Sequence, residues 1–308
     1  MKILEELKFT SVFNEIFILV TNKCNLRCKH CYVSSGPDEP IGLSLSKLFE
    51  IIDAAVELNN SIRIVLSGGE VMLRKKDVLE IIERYSNNYI LILSNGMFFT
   101  SDVSKILTKY PNVHIRISID GYNKSQHDYI RGNGSFLKVI SGINNLMAEG
   151  FNRISISTTV SELSTESIPD ILNLTQEIGI KSVKIEPIAK TGRAVDYFGT
   201  SPQKNSDSET KKFRDFIAKN NKIGHWQHKA INETKYDIIT VYSNGDVYPY
   251  TFYNDHDQKF GLVGNIFSNS LIEIVTSPNW QKSIMDNVLR FSFGPDRSMG
   301  AFNYDYKL

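Results

Sequence analysis

The sequence predicts an α/β fold built on a parallel sheet, and three observations carry that prediction. Between residues 16 and 186, short apolar segments alternate with segments in which apolar residues recur at helical spacing. The alternation occurs six times, which is typical of strand-and-helix units joined by right-handed crossovers. Glycine or polar residues follow each apolar segment, at the carboxyl end of the predicted strand. Active sites of such folds lie at those ends, so candidate functional residues gather on one edge.

The elements follow in order along the chain. The predicted strands are residues 16–20, 62–66, 89–93, 113–119, 153–158 and 182–186. The first predicted helix begins after the N-cap Ser44, and the second carries Val78 to Ile82 on its inner side. The other three lie near 101–109, 135–149 and 166–177. Past Pro187 the alternation stops, and a polar stretch leads to a helix at 210–220. A hairpin over 238–250 with an Asn244-Gly245 turn, a helix near 270–288 and an aromatic tail from Phe291 follow.

Composition excludes several classes of function. The chain has 308 residues and a formal net charge of +1, with no long basic stretch, so nucleic acid and anionic membrane surfaces are not indicated as partners. The N-terminus shows no signal peptide, and the longest apolar runs, such as 16–20, are too short to span a bilayer. The three cysteines are clustered, which does not suggest a disulfide framework. We therefore expect a soluble, cytoplasmic protein.

The most informative stretch is 24–32, which reads Cys-Asn-Leu-Arg-Cys-Lys-His-Cys-Tyr and holds all three cysteines. Four cysteines normally ligate a 4Fe-4S cluster, so Cys24, Cys28 and Cys31 would leave one iron free to bind a small molecule. The alternative is a structural zinc site closed by His30 or a distant histidine. Structural zinc motifs usually pair two short ligand hairpins, and no second Cys or His pair at such spacing follows. The cluster is therefore the favoured interpretation.

The spacing of these cysteines, and most of the first 195 residues, resemble the radical S-adenosylmethionine (SAM) enzymes, in particular the peptide-modifying SPASM and twitch subfamilies. The resemblance implies a partial (β/α)6, TIM-like barrel with a small C-terminal α+β region. It also implies that the open iron chelates the amino and carboxylate groups of SAM. Reductive cleavage of SAM then gives a 5'-deoxyadenosyl radical, which abstracts a substrate hydrogen.

The resemblance assigns SAM contacts to residues at the strand ends. His30 would lie against the adenine, although it could equally be an ordinary loop histidine. Ser118 would contact the ribose or carboxylate, and Arg131 would pair with the carboxylate unless it is a surface arginine. Asp120 would only shape its turn. The Gly-Gly-Glu motif, Gly68, Gly69 and Glu70, would hold the SAM amino group. Asn95, after the third predicted strand, is a weaker match to a SAM contact.

The C-terminal part resembles a SPASM domain in which a Gly-Asp-Val-Tyr-Pro-Cys pattern delivers a ligand to an auxiliary cluster. Here residues 245–251 read Gly-Asp-Val-Tyr-Pro-Tyr-Thr, and Tyr250 stands where the cysteine belongs. We therefore expect one 4Fe-4S cluster and no auxiliary cluster. Thr251 replaces the aspartate base of sulfatase-maturing relatives, which makes sulfatase maturation improbable. Tyr250 could return a hydrogen in place of a cysteine thiol, although such tyrosines more often pack.

Three segments are expected: a radical SAM core over 1–195, a linker and helix over 196–236, and a degenerate SPASM- or twitch-like region over 237–308. The favoured function is modification or cross-linking of a peptide side chain in maturation of a ribosomal peptide natural product. Its partners would be the peptide and an external electron donor of flavodoxin or ferredoxin type. A separate protein would bind the leader peptide, or the edge of the hairpin near 238–250 would pair with it.

Two other functions remain open. One is a radical SAM enzyme that epimerises, dehydrates or decarboxylates an amino sugar or nucleoside, which would share every SAM residue and differ in its pocket. The other is a binding module stapled by zinc, without catalytic activity.

Overall fold

A computed structural model describes residues 13–160, 167–189, 191–198, 238–249, 261–284 and 304–307. Six parallel strands alternate with helices, as predicted. The strands are β1 (Glu15–Thr21), β2 (Arg63–Gly68), β3 (Ile90–Ser94), β4 (Val113–Ser118), β5 (Ile154–Val160) and β6 (Ser182–Pro187). The helices are α1 (Leu45–Leu58), α2 (Lys75–Arg84) after a 3-10 turn over Val71–Arg74, α3 (Ser101–Leu107), α4 (Lys124–Arg131), α5 (Ser135–Ala148), α6 (Ile168–Glu177) and α7 (Ala194–Phe198).

The sheet continues beyond these six strands at both edges. The added elements are β7 (Ile238–Val241), β8 (Asp246–Tyr248), β9 (Gly264–Asn265), helix α8 (Leu271–Val275) and β10 (Tyr304–Lys307). The strand order is β10-β6-β5-β4-β3-β2-β1-β7-β8-β9, with β7 parallel to β1 and β10 antiparallel to β6. The sheet is therefore open, as a partial barrel requires, and the predicted α/β class is confirmed.

Five helices cover one face of the sheet because each has an apolar stripe: α1, α2, α3, α5 and α6. In α1, the Ser44 hydroxyl accepts a hydrogen bond from the Lys47 N–H at 3.2 Å, which caps the helix as expected. Residues at helical spacing are then fully buried against the outward side chains of β1 and β2. These helix residues are Leu48, Ile51, Ile52 and Ala55. The main hydrophobic core lies between the sheet and its helices.

The opposite face of the sheet, which we call the inner face, differs from one side to the other. Across β1 to β3 it is apolar, and Phe17, Leu19, Val65 and Leu91 form a second, smaller buried cluster there. Across β4 to β6 the alternate positions are polar. They are His114, Arg116, Ser118, Ser155, Ser157, Thr159, Lys184 and Glu186. The inner face thus offers an apolar half and a polar half.

The structure corrects some boundaries and adds elements. Helices α4 and α7 and strand β10 were not expected as regular elements. The helix predicted near 270–288 is interrupted after α8, because Pro278 has no N–H and restricts the residue before it. Ser277 caps a second helical segment over 278–284 by accepting a hydrogen bond from the Trp280 N–H at 3.2 Å. The helix predicted at 210–220 lies outside the described residues.

The hairpin is confirmed over β7 and β8, but its edges are already occupied. The turn closes with a hydrogen bond from the Tyr242 N–H to the Asp246 carbonyl at 2.8 Å. Strand β7 pairs with β1 on one side and β8 on the other, and β8 pairs with β9. A peptide therefore finds no free strand edge on β7 or β8. No helix in the described part of the chain is both long and apolar enough to cross a membrane.

Candidate active site

The three cysteines lie in the loop that follows β1, with Cys24 and Cys28 buried and Cys31 half-buried. The loop returns to β1 through a hydrogen bond from the Cys24 N–H to the Gly36 carbonyl at 2.9 Å. Two backbone N–H groups point at sulfur, from Leu26 to Cys24 Sγ at 3.4 Å and from Ser35 to Cys31 Sγ at 3.3 Å. Such N–H donors stabilise thiolate charge at iron–sulfur clusters.

Burial makes thiolate charge in this loop costly in the absence of a bound metal. Burial raises the pKa of Cys24 to about 12 and that of Cys28 to about 11, with the Arg131 charge opposing the rise at Cys28. A coordinating metal removes the proton from such a thiol, so metal binding offsets the cost of burying these groups. The three sulfurs and their donors therefore fit a thiolate-ligated cluster. His30, the proposed fourth zinc ligand, is instead engaged by a carboxylate, and the described residues hold no group of three or more His, Cys, Asp or Glu arranged around one ion.

That carboxylate belongs to Asp120, which is 1% exposed and binds three groups. Its Oδ2 accepts from Arg131 Nε and lies 2.7 Å from His30 Nε2, and its Oδ1 accepts from the Thr159 N–H at 2.7 Å. Burial opposes ionisation of Asp120, yet the charges of Arg131 and His30 hold its pKa well below the usual range. Asp120 is thus the centre of the network, whereas the sequence suggested only a turn residue.

Arg131 joins this network to the cysteine loop. It lies at the end of α4, is buried, and places Nη1 4.0 Å from Cys28 Sγ, whose thiol also faces the Arg131 carbonyl at 3.8 Å. The Lys29 N–H donates to the Ile130 carbonyl at 2.9 Å, which fixes the loop against α4. Arg131 is therefore no surface arginine, and one partner of its charge is Asp120.

The Gly-Gly-Glu motif packs against the start of the cysteine loop. Gly68 has φ +135°, and a Cβ there would lie 2.2 Å from the Thr21 carbonyl oxygen, so only glycine fits. The Gly69 N–H donates to that same oxygen at 2.7 Å, and the Glu70 N–H donates to the Lys23 carbonyl at 3.0 Å. Close approach of β2 to the loop is therefore one requirement for these glycines.

The Glu70 carboxylate is fully buried and already bound. It accepts hydrogen bonds from the Met72 N–H at 2.9 Å, the Ser94 hydroxyl at 2.8 Å and the Asn95 N–H at 2.7 Å. Burial raises its pKa, while these donors act in the opposite direction. The Asn95 side-chain amide in turn donates to Asn25 in the cysteine loop at 2.8 Å. Glu70 and Asn95 therefore tie the ends of β2 and β3 to the loop.

The other predicted residues are placed differently. Ser118 ends β4 and is half-buried, two residues before Asp120. Tyr250, together with Thr251 and Tyr253, lies outside the described residues. Tyr248 is 5% exposed and packs edge-on against Tyr242, with ring centroids 5.3 Å apart. The structure thus brings the cysteines, His30, Glu70, Asn95, Ser118 and Arg131 to the carboxyl ends of β1 to β4.

Sequence reasoning missed Arg193, which holds the cysteine loop from the segment after β6. Its guanidinium donates to three backbone carbonyls of the loop, at 2.8 Å to Cys28, 3.3 Å to Ser34 and 2.6 Å to Ser35. Its own N–H donates to the Cys31 carbonyl at 3.0 Å. The only sequence signal was a glycine before it, at Gly192, which is a weak indication by itself.

We expect Arg193→Met to loosen the loop, because hydrogen bonds from a charged donor contribute about 1.5–3 kcal/mol. After reconstitution with iron and sulfide, the variant should release iron to a chelator about tenfold faster than the unmodified protein. Loss of iron–sulfur absorbance against time measures this rate. Arg84→Met is the control, because Arg84 is 49% exposed and pairs with Asp53 away from the loop. Equal release rates for Arg193→Met and the unmodified protein would contradict the role of Arg193.

Comparison with known proteins agrees with this site. The model of the Radical SAM superfamily matches residues 18–175, which is just over half of the chain and includes the cysteine loop. The chain belongs to the radical SAM superfamily. The predicted family is thereby confirmed, and with it the use of a 4Fe-4S cluster and SAM that membership implies.

Three similar proteins or structures cover most of the chain. The antilisterial bacteriocin subtilosin biosynthesis protein AlbA of Bacillus subtilis is 26% identical over 289 residues, with 89% of this chain and 62% of AlbA covered. An AdoMet-dependent heme synthase of Methanosarcina barkeri is 30% identical, over 71% of this chain and 59% of the synthase. Streptococcus suis SuiB, solved bound to its precursor peptide SuiA, has a TM-score of 0.67 at 16% identity and covers 91% of this chain and 68% of SuiB. The chain spans about half the length of the curated relatives it matches.

Proposed function

We propose that this chain is a radical SAM enzyme that modifies or cross-links a side chain of a peptide, in maturation of a ribosomal peptide natural product. The observation that carries the proposal is the set of three cysteine sulfurs in one loop, beside Asp120 and Arg131, at the carboxyl ends of the strands. Relatives support the peptide substrate, since AlbA serves bacteriocin biosynthesis and SuiB was solved with its precursor peptide.

Cys24, Cys28 and Cys31 would hold one 4Fe-4S cluster. With SAM bound, that cluster supplies a 5'-deoxyadenosyl radical for hydrogen abstraction. The neighbouring residues would bind and orient SAM. Gly68, Gly69 and Glu70 would hold its amino group, Arg131 and Ser118 its carboxylate or ribose, and His30 its adenine. Asn95 would hold the adjoining loop. The hydrogen bonds from the Asn95 N–H to Glu70 and from His30 and Arg131 to Asp120 support this role, because groups already fixed in place lose little entropy on binding.

The absence of an auxiliary cluster is also a proposal, supported by the sequence. Its three cysteines all lie between residues 24 and 31, so these 308 residues contain no further thiol ligand. We assign residues 1–195 to the radical SAM core, 196–236 to a linker with a helix, and 237–308 to a SPASM- or twitch-like region without metal. A reducing compartment such as the cytoplasm suits free thiols and a cluster.

Two partners complete the proposal. An external one-electron donor of flavodoxin or ferredoxin type would reduce the cluster. A separate protein is the proposed binder of the leader peptide; the described edges of β7 and β8 are paired within the sheet and do not offer the peptide a strand edge.

Anaerobic reconstitution tests the proposal. Iron, sulfide and zinc are quantified, and 5'-deoxyadenosine is then measured with SAM and dithionite. About four irons per chain and formation of 5'-deoxyadenosine are expected. About eight irons would contradict the absence of an auxiliary cluster. Zinc without iron and no 5'-deoxyadenosine would leave a zinc-stapled binding module.

The substrate class is tested on the same reconstituted protein. Candidate precursor peptides, amino sugars, nucleosides and porphyrin precursors are added separately, and 5'-deoxyadenosine release and product mass are recorded. A mass change in a peptide supports the proposal. Turnover of a small molecule instead would favour the second function, which has one observation in its support, the similarity to a heme synthase.

Tyr250→Phe tests the proposed hydrogen donor. If the phenol of Tyr250 returns a hydrogen to the substrate, removal of its hydroxyl should lower product formation at least about tenfold while 5'-deoxyadenosine is still released. The two yields are measured in the same reaction. Tyr248→Phe is the matched control two residues earlier in the sequence, because Tyr248 is buried against Tyr242. Full product formation by Tyr250→Phe would exclude the phenol as donor.

A further inference from the structure

Arg116 is unusual among the arginines that the structure describes. There are eight of these, and seven bind a carboxylate or a backbone carbonyl. Within the described part of the chain, Arg116 instead makes one hydrogen bond, from Nε to the Ser155 hydroxyl at 3.4 Å, which is weak. The charge of Glu186 acts on Arg116 without a hydrogen bond between them, so most of the guanidinium N–H donors are left for another group.

The position of Arg116 suggests what binds it. Arg116 lies on the inner face of β4, because Ile115 and Ile117 on either side of it are fully buried in the core against the helices. It pairs across the sheet with Leu93 on β3 and Ser155 on β5, at the border between the apolar and polar halves of the inner face. Ser118 follows on the same face, about 7 Å nearer the strand ends. Arg116 therefore lies deeper in the partial barrel than the proposed SAM contacts at the strand ends.

The surrounding charges define the ligand. Glu186 on β6 is already bound, to Lys184 Nζ at 2.5 Å and to the Ser157 hydroxyl at 3.2 Å. Glu186 interacts with the charges of both Lys184 and Arg116 and offsets one of them, so these three side chains carry one net positive charge. A group with a single negative charge would balance it, whereas a dianion such as a phosphate would exceed it. The planar guanidinium matches a carboxylate with two parallel N–H donors.

We propose that Arg116 binds a carboxylate of the substrate. This inference rests on the proposed function, in which the carboxylate is an aspartate or glutamate side chain near the modified residue of the peptide. The same group on a free small acid would be bound by the same contacts, so the experiment distinguishes the two sources.

The first arm uses reconstituted protein with SAM and equilibrium dialysis of labelled model compounds. The N-methylamides of N-acetyl-aspartate and N-acetyl-glutamate are compared with those of N-acetyl-asparagine and N-acetyl-glutamine. Because a charge-assisted pair is formed only by the acids, they should bind about tenfold more tightly than the amides. Arg116→Gln should remove that preference, Arg116→Lys should keep part of it, and the exposed control Arg84→Gln should keep all of it.

The second arm pans a displayed library of random peptides on the same protein. Enrichment of Asp or Glu at one position, changed to Lys or Arg by Arg116→Glu, identifies a peptide carboxylate. If the acid model compounds bind more tightly than the amides but no peptide is enriched, Arg116 still binds a carboxylate, and the proposal that the substrate is a peptide is overturned. Equal binding of acids and amides by the unmodified protein overturns the role of Arg116, whether or not Arg116→Gln folds. An Arg116→Gln protein that still binds the acids more tightly than the amides also overturns that role.

Discussion

Cys28→Ala is expected to abolish both iron retention and cleavage of SAM. Cys28 is the most central ligand candidate, because its sulfur faces Arg131 and its carbonyl accepts from Arg193. After reconstitution the variant should retain much less than the four irons of a complete cluster, and 5'-deoxyadenosine should fall at least about 100-fold. Iron analysis and chromatography of the reaction mixture measure the two effects.

The fold should survive this substitution, since alanine is small and apolar and fits a buried site. Ser35→Ala is the matched control in the same loop. It removes the hydroxyl that donates to Asn22 at 2.9 Å but keeps the backbone N–H that donates to Cys31 Sγ. This control should retain its iron. A Cys28→Ala protein with a full complement of iron and normal 5'-deoxyadenosine release would overturn the assignment of the three cysteines.

Asp120→Asn is expected to destabilise the protein strongly. The substitution preserves shape but removes the charge that balances buried Arg131, and breaking a buried ion pair from one side costs about 3–5 kcal/mol. For a chain of this size, the midpoint of thermal unfolding should fall by about 10 °C. Affinity for SAM should fall too, because His30 and Arg131 lose their common partner. Calorimetry of the protein and titration with SAM measure the two changes.

The chain contains a matched control for this prediction. Asp38 also pairs with an arginine, Arg27, but their side chains are 84% and 55% exposed. Exposed pairs contribute about 0–1 kcal/mol, so Asp38→Asn should shift the midpoint by about 3 °C at most. Equal shifts for the two variants would mean that the Asp120 network does not hold the site together.

Much of the fold could be predicted from the sequence because the strands are short apolar runs whose ends carry turn residues. The six strands of the barrel lie within two residues of their predicted positions. The helices were harder where their apolar stripe is short. Helix α4 buries only His127, Ile130 and Arg131, so its pattern resembles a polar loop. Strand β10 alternates tyrosine with a charged residue over only four positions, a run too short to predict a strand, and it pairs with β6.

The candidate site could be predicted only in part, for a related reason. The cysteines, Gly68 and Gly69 form contiguous motifs and are visible in the sequence. Asp120 and Arg193 act through partners that are far away along the chain, His30 and the loop carbonyls. Their roles depend on the crossovers that bring β4 and the end of β6 beside the cysteine loop. Long-range hydrogen bonds of this kind leave no periodic signal.

The pairing of the two sheet edges has a consequence for synthesis on the ribosome. Strand β1 emerges early, but its partner β7 pairs Glu15 with Ile238 and is made much later. At the other edge of the sheet, β6 is synthesised before its partner β10, which lies near the end of the sequence. The growing chain therefore passes through a period in which both outer strands present unpaired N–H and C=O groups to other nascent chains. Protection from aggregation during that interval must come from chaperones or from fast folding, and slow translation between residues 190 and 304 would prolong the exposure.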